Sequence, residues 1–239
     1  MAQMLLAYEV NPSFMGQYTN AAAHKPELPD YFNELKYELD WMMTMQREDG
    51  ALYHKVSCYN FCGFILPDQE KEEIVISPVS ATATGDFAAA AAMAVRFYQK
   101  YDAEYADRLA AASRRAYEAL QNMNIPGGFK NPEEIVTGEY GDPCDEDERY
   151  WAAAELYKTF GDEKYRRDFE ERAAGKIYHG YGWGAMGSYG NLAYITTSNP
   201  VSEELKEKIK ASMIDLGRHK LEIEEVDGYG TALASEEYT

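Results

Sequence analysis

A dense run of carboxylates marks the stretch of this chain that is best suited to chemistry. It lies in the segment GEYGDPCDEDERYWAAAELY (138–157) and consists of Asp142, Asp145, Glu146, Asp147 and Glu148. Because neighbouring carboxylates repel one another, they need solvent, an arginine or a hard cation, and oxygen-rich clusters suit Ca²⁺. The helix dipole also favours acidic residues in a first turn. The cluster is therefore consistent with either a cation site in a loop or the charged start of a helix.

Other residue types that often do chemistry are sparse. The four histidines are scattered, and no nucleophilic Ser or Cys triad can be read from them. The three cysteines are too few for a disulfide framework. Cys58 and Cys62 lie four apart in CYNFC, without a second Cys or His pair at zinc-site spacing. We therefore expect buried thiols there and no structural metal.

The charge balance excludes several classes of partner. Asp and Glu number 41 against 23 Lys and Arg, which gives a net charge of −18. Such a charge argues against nucleic acid and against anionic membrane surfaces, and it leaves a neutral ligand unaffected. No apolar run approaches the roughly 20 residues of a transmembrane helix. Residues 1–10 lack the basic start and long apolar centre of a signal peptide, so no export signal is expected.

Hydrophobic periodicity predicts a mainly helical chain. The predicted helices cover residues 2–9, 31–47, 80–98, 102–123, 183–197 and 202–219, together with one that follows the acidic run. Residues 51–77 have no helical period and include a β-prone piece at Ile74–Ile76. A loop of that length is uncommon in a compact domain and is often functional.

Two similar segments reveal how the helices are organised. FYQKYDAEY (97–105) and LYKTFGDEKY (156–165) each end an apolar helix, turn at an acidic loop and begin an amphipathic helix. Inner apolar helices thus alternate with outer charged ones, as in an α/α toroid. An irregular helical solenoid would show the same alternation, but the unequal loops favour the toroid. The first helix has no cap and no preceding element to cover it, as if earlier turns had been removed.

Several segments together resemble a known family, the catalytic domain of glycoside hydrolase family 9. These segments are LKYELDWMMTMQREDGALYHKV, NFCGFILP, PVSATATGDFAAAAAMAVRFY, GEYGDPCDEDERYWAAAELYKTFGDEKY and WGAMGSYGNLAYI. They occur in the family's order and run through nearly the whole chain. The resemblance implies an all-α, incomplete (α/α)6 toroid with about eight of the barrel's twelve helices. Residues 1–239 are then a partial family 9-like catalytic domain.

The family resemblance also implies inverting endo-hydrolysis of β-1,4-glucan, as in cellulases. In such a reaction one Asp of a DAGD motif activates water and a distant Glu protonates the leaving oxygen, with space for the water between them. This sequence contains no DAGD motif and no counterpart of the segment that carries the acid Glu. We therefore assign no catalytic residue, expect an internal fragment, and expect it not to hydrolyse glucan alone.

The resemblance supports four residues as contacts for a glucan chain. They are His54, Lys55, Tyr140 and Trp183. Sugar rings have apolar faces, so aromatic side chains in loops at the cleft are natural binding elements. The ordinary alternatives are a hydrogen-bonded loop histidine at His54 and core aromatics at Tyr140 and Trp183. Trp151, within an inner helix, is expected in the core.

Calcium is the one cofactor that the resemblance suggests. Several family members hold Ca²⁺ at the loop corresponding to residues 141–148, with side-chain ligands that match Asp147 and Glu148. We extend the candidate ligands to Asp142 and Asp145. Some members add an Asp where this sequence has Ala185, and calcium affinity falls with each lost charge.

Two other function classes stay open at this point. A truncated barrel could be a non-catalytic carbohydrate-binding or assembly protein, with its exposed apolar helices covered by self-association or by another chain. Another α/α-toroid enzyme, such as an epimerase or a lyase, fits the hairpins but not the quoted segments. The family is mostly secreted, whereas residues 1–10 carry no export signal.

Overall fold

A computed structural model describes residues 1–15, 28–126 and 128–232. Most of the loop predicted over residues 20–30 lies outside the described residues. Within them, no helix combines the length and hydropathy needed to cross a membrane.

The described residues are mainly helical, with two small antiparallel sheets. The helices are α1 Ala2–Val10, α2 Pro12–Met15, α3 Asp30–Thr44, α4 Ala81–Tyr98, α5 Ala103–Gln121, α6 Glu146–Phe160, α7 Glu163–Gly175, α8 Gly187–Thr196 and α9 Glu203–Val226. Strand β1 (Leu52–Tyr53) pairs with β4 (Val79–Ser80), and β2 (Val56–Cys58) pairs with β3 (Ile74–Ile76). The β-prone piece at Ile74–Ile76 is thus confirmed as a strand.

The helices form an inner and an outer row, as the alternation of apolar and charged segments predicts. Helices α4 and α6 are buried on nearly all sides, and the run Ala88–Ala92 lets neighbouring helices approach closely. Helix α4 packs against α5 and α6, and α6 packs against α7 and α8. Helices α5 and α7 bury only one face each. This arrangement brings the amino-terminal ends of α4, α6 and α8 to the same end of the molecule.

Side-chain caps fix three of the helix starts. Ser80, Asp102 and Ser202 each accept a hydrogen bond from a backbone N–H in the first turn, so α4, α5 and α9 begin one residue later. Gly161 ends α6 in the left-handed conformation (φ 74°), and its N–H donates to the Tyr157 carbonyl. The starts of α4, α5 and α9 agree with the helix starts predicted from the sequence to within one residue.

The sequence left the acidic run open between a loop and a helix start, and the helix start is confirmed for Glu146, Asp147 and Glu148, which lie in the first turn of α6. Two other predictions about local structure were wrong. Helix α8 starts only at Gly187, after a bridge between Gly182 and Ala185. Cys58 and Cys62 are not the buried thiols that we expected, because Cys58 is half-buried and Cys62 is exposed. The dipole of α6 favours the three acids in its first turn.

Candidate functional site

A cavity of about 440 Å³ lies where the amino-terminal ends of α4 and α6 meet the loop before α8. Its lining residues are His54, Lys55, Thr82, Ala83, Asp86, Tyr140, Asp142 and Trp183. All four residues predicted to contact glucan are among them, although they come from three distant parts of the sequence. The structure therefore brings the predicted binding residues together at one cavity.

His54 is held on both ring nitrogens and on one face. Its Nδ1 lies 2.8 Å from the Ser80 hydroxyl, and its Nε2 lies 3.2 and 3.1 Å from the carbonyl oxygens of Glu139 and Tyr140. The ring stacks on Phe129 with centroids 3.8 Å apart. Because two carbonyls face Nε2, this nitrogen carries the proton, and Nδ1 accepts from Ser80. Burial lowers the pKa of His54, so the ring is neutral and fixes the backbone beside Tyr140.

Lys55 joins the same loop from the other side. Its ammonium group donates to the Thr137 hydroxyl at 3.3 Å and to the Gly138 carbonyl. It also lies 5.9 Å from the centre of the Tyr140 ring. Burial lowers the pKa of Lys55. Lys55 thus holds residues 137–140 in place and presents a donor group at the cavity wall.

Tyr140 and Trp183 form an exposed aromatic pair at the cavity. Tyr140 is 65% exposed and Trp183 is 59% exposed, and their rings meet edge to face with centroids 6.5 Å apart. Tyr140 adopts a φ of 52°, which is uncommon for a residue other than glycine. The alternative prediction of core aromatics is therefore wrong for both residues. Trp151, in contrast, is only 1% exposed, and its prediction as a core residue is confirmed.

Three of the four predicted calcium ligands already have partners within the protein, and one of them is Asp142, of which one oxygen accepts from the Cys144 N–H at 3.0 Å. The Asp145 carboxylate accepts from both Nε and Nη2 of Arg149, at 3.0 and 2.8 Å. Arg149 also donates to the Leu120 and Met123 carbonyls. One Asp147 oxygen accepts from the Met186 N–H at 2.6 Å, which ties α6 to the residue before α8. Asp145 is thus neutralised, whereas Asp147 keeps one oxygen for another contact.

Glu148 is a buried carboxyl group without a hydrogen-bond partner. Its side chain is fully buried and neither oxygen is hydrogen-bonded, and one oxygen each of Asp86 and Asp142 is likewise unpaired. Burial raises the pKa of Glu148 to about 10 and that of Asp86 to about 8, and each is raised further by neighbouring carboxylates. Burial also raises the pKa of Asp142. Unpaired buried acids are unfavourable, so this corner of the cavity favours a proton or a cation.

The side chains alone do not form a complete metal site. In the part of the chain that the structure describes, no three His, Cys, Asp or Glu side chains are arranged to hold one ion. Ala185 provides no carboxylate, and the Asp142 Oδ2 instead lies beside Gly184, 3.5 Å from where a Cβ would stand. The unpaired oxygens of Glu148 and Asp142 match a hard cation in chemistry. Backbone carbonyls or water would have to complete its shell.

Asp86 and Thr82 were not singled out from the sequence as site residues. Both lie in the first two turns of α4 and line the cavity. In the sequence, TATGDF resembles an ordinary helix start, and Asp86 gains its significance only from its proximity to Glu148 on another helix. No local signal at position 86 marks that contact.

Comparisons with known proteins agree on one family. The sequence matches the profile of glycosyl hydrolase family 9 over residues 1–228. Endoglucanase D of Acetivibrio thermocellus is 39% identical over 248 residues, which span 100% of this chain and 39% of that protein. The xyloglucan-specific endo-beta-1,4-glucanase BoGH9A of Bacteroides ovatus is 36% identical over 201 residues, with 80% of this chain and 34% of that protein covered.

Solved structures give the same result. A single mutant of a thermostable endoglucanase from Alicyclobacillus acidocaldarius superposes with a TM-score of 0.87 at 30% identity, over 98% of this chain and 45% of that chain. AaCel9A in complex with cellobiose-like isofagomine has a TM-score of 0.89 at 30% identity, with the same coverage. The prediction of an all-α chain with the hairpins of an (α/α)6 toroid is confirmed. The chain spans less than half the length of these relatives.

Proposed function

The chain belongs to glycosyl hydrolase family 9, and from this premise we propose that its cavity binds β-1,4-glucan as part of an endoglucanase cleft. The observation that carries the proposal is the exposed Tyr140–Trp183 pair at the cavity that His54 and Lys55 line. Aromatic rings that lie together at a cavity are natural platforms for a carbohydrate, because sugar rings offer apolar faces to them.

The polar groups around the aromatic pair suit a sugar. The Lys55 ammonium at the cavity wall provides donors for the hydroxyl oxygens of a sugar. His54 uses both ring nitrogens within the protein, so it orients the Tyr140 loop. A neutral oligosaccharide is also indifferent to the net charge of −18.

We propose binding, not hydrolysis, for the residues of this cavity. The printed sequence has no DAGD motif, and no cavity residue is assigned as the water-activating base or the acid of an inverting pair. Hydrolysis of glucan is the activity that the names of its relatives indicate. No observation favours the assembly-protein alternative, and self-association stays a prediction.

Titration calorimetry with a soluble cello-oligosaccharide tests this function. Trp183→Ala and Tyr140→Ala should each weaken binding by about tenfold, which corresponds to about 1.4 kcal/mol. Tyr229→Ala is the matched control, because Tyr229 is 96% exposed and lies outside the cavity. Unchanged affinity in both cavity variants, or no binding by the unmodified chain, would overturn the proposal.

We further propose that Ca²⁺ binds beside the cavity at Glu148 and Asp142, with backbone carbonyls or water completing its shell. Both Glu148 oxygens and one Asp142 oxygen are unpaired. Asp145 is left out of this set because Arg149 neutralises it. A bound cation would offset the repulsion among these carboxylates and hold the start of α6 against the loop before α8.

A further inference from the structure

Ser80 is a buried serine that lies between a helix start and the wall of the cavity. It is 1% exposed and is the last residue of strand β4. The pairing of β4 with β1 places Ser80 opposite Leu52. The His54 N–H donates to the Pro78 carbonyl at 3.0 Å, which continues this pairing toward the cavity. The backbone of these two segments therefore fixes Ser80 beside His54.

The Ser80 hydroxyl group is fully engaged in hydrogen bonds. It accepts from the Ala83 N–H at 3.1 Å, as the N-cap of α4. It also lies 3.3 Å from the Thr82 hydroxyl and 2.8 Å from the His54 Nδ1. Because the Nε2 of His54 carries the ring proton, Nδ1 can only accept, so Ser80 donates its proton to Nδ1 and accepts from Thr82. A single side chain thus caps α4 and bonds the His54 ring.

The other end of the His54 ring holds the backbone of Tyr140. Its Nε2 lies 3.2 Å from the Glu139 carbonyl oxygen and 3.1 Å from that of Tyr140. Tyr140 has a φ of 52°, in the left-handed region that residues other than glycine seldom adopt. Such a conformation costs free energy and persists where neighbouring contacts enforce it. The ring can donate to both carbonyls only in one orientation, which the Nδ1 bond and the stack on Phe129 fix.

We infer that Ser80 is a positioning residue for the Tyr140–Trp183 pair and that it acts through His54. The Ser80 hydroxyl fixes the His54 ring, and the ring holds Tyr140 in the left-handed conformation. In this conformation the Tyr140 ring meets the Trp183 ring, with their centroids 6.5 Å apart. Ser80 is itself buried, so its effect on binding is indirect. The inference rests on the proposed glucan-binding function, because the aromatic pair is what the sugar contacts.

Calorimetry with cellotetraose, together with NMR of the unliganded chain, tests the inference. Ser80→Ala should weaken cellotetraose binding by about fivefold, as expected for the loss of one hydrogen bond. It should also shift the backbone nitrogen and Cα resonances of Tyr140, which report its φ. The variant loses a helix cap as well, so the comparison needs a control that loses only a cap.

Ser202→Ala is that matched control. Ser202 caps α9 through the equivalent bond from the Leu205 N–H. It follows the carboxyl-terminal end of α8, whereas the cavity lies at the amino-terminal end of that helix. Ser202→Ala should therefore lower stability to a similar extent as Ser80→Ala, with cellotetraose affinity and the Tyr140 resonances unchanged.

Three further variants separate the hydroxyl of Ser80 from its capping role. Glycine is nearly as good an N-cap as serine, so Ser80→Gly should reproduce the binding loss with a smaller loss of stability. Ser80→Thr retains the hydroxyl group and should retain affinity. His54→Phe keeps an aromatic ring against Phe129 but has no ring nitrogen. In that background, Ser80→Ala should leave cellotetraose affinity unchanged, because the two residues act in one chain of contacts.

The outcomes separate the inference from the proposed function. Unchanged affinity or unchanged Tyr140 resonances in Ser80→Ala, or an equal loss of affinity in Ser202→Ala, overturns the inference while glucan binding stands. A further loss of affinity from Ser80→Ala in the His54→Phe background also overturns it, since Ser80 would then act by another route. Failure of the unmodified chain to bind cellotetraose overturns the proposed function, and the Tyr140 resonances then decide alone whether Ser80 positions that residue.

Discussion

Gly85 on α4 lies so close to Glu148 on α6 that a Cβ at position 85 would stand 2.7 Å from the Glu148 Cβ. The same Cβ would lie 3.3 Å from the Glu148 carbonyl carbon, so backbone as well as side chain limits the space. The two inner helices therefore touch where the cavity begins. This contact places Asp86, the next residue along α4, in the electrostatic field of Glu148.

We expect Gly85→Ala to destabilise the protein, although alanine is the better helix former. Overpacking costs about 1–3 kcal/mol, whereas the gain in helix propensity is about 1 kcal/mol. Thermal unfolding should show a Tm lower by a few degrees. Gly217→Ala in α9 is the control, because a Cβ there meets nothing within 4 Å, and it should raise the Tm. Equal shifts in both variants would contradict the close contact.

Much of this fold could be predicted from local sequence signals. Helix α4 is apolar on all sides, and its burial follows from composition; Ser80, Asp102 and Ser202 are capping residues at the predicted helix starts. The acidic run alone left the start of α6 undecided, because carboxylates suit a solvated loop as well as a helix first turn. The structure neutralises Asp145 with Arg149 and gives Asp147 a backbone donor.

The candidate site was only partly predictable. His54, Lys55, Tyr140 and Trp183 were found through family resemblance, because nothing in their spacing reveals that they share a cavity. The proximity of the Asp86 and Glu148 carboxyl groups could not be predicted from the sequence. Asp86 and Glu148 are far apart in sequence, and only the absence of a side chain at Gly85 allows their helices to meet.

Arg96 should be a major stabilising residue at the other end of the inner helices. It donates to Glu155 at 2.7 Å and to Glu9 at 3.3 Å, and so links α4 to α6 and α1. Glu155 is 2% exposed, so Arg96→Ala leaves a buried charge without its partner, at a cost of about 3 kcal/mol. Urea unfolding measures this loss.

Two further variants test the Arg96 prediction: one is a control at a surface ion pair, and the other is a double variant that should restore stability. Arg166→Ala breaks the exposed i,i+3 pair with Glu163 and should cost less than about 1 kcal/mol. Replacing both members, as Arg96→Met/Glu155→Leu, should recover most of the loss, since the uncompensated charge is then gone. A cost for Arg96→Ala as small as that of Arg166→Ala would refute the structural role.

His54 should make stability fall in mild acid. Burial holds the pKa of His54 below the ordinary value of 6.5, so below pH 6.5 the unfolded chain binds a proton that the folded chain excludes. Stability is therefore lost as pH falls from about 6.5 toward the folded pKa, with a slope of at most about 1.4 kcal/mol per pH unit for this group. The raised pKa values of Asp86 and Glu148 contribute a slope of opposite sign in both proteins, so the test is the difference in unfolding free energy between His54→Gln and the unmodified chain, which should shift in favour of the variant as pH falls across this window. His219→Gln, on the exposed face of α9, should keep the original slope, and a matching change in both variants would contradict the assignment.

Calcium should stabilise the protein through Glu148 and not through Asp145. In chelator near neutral pH, the buried unpaired carboxyl of Glu148 is a liability, so Glu148→Gln should unfold at a higher temperature than the unmodified chain. With calcium at about one hundred times its dissociation constant, the unmodified chain should gain about 2.7 kcal/mol. Glu148→Gln should lose that gain because the amide is a weaker ligand for a hard cation. Asp145→Asn should keep it, because Arg149 already occupies the Asp145 carboxylate.

Differential scanning calorimetry with and without calcium resolves these cases. A Tm of the unmodified chain that does not respond to millimolar calcium would refute the site, and an equal loss in Asp145→Asn would show that calcium responds only to the summed charge of the cluster.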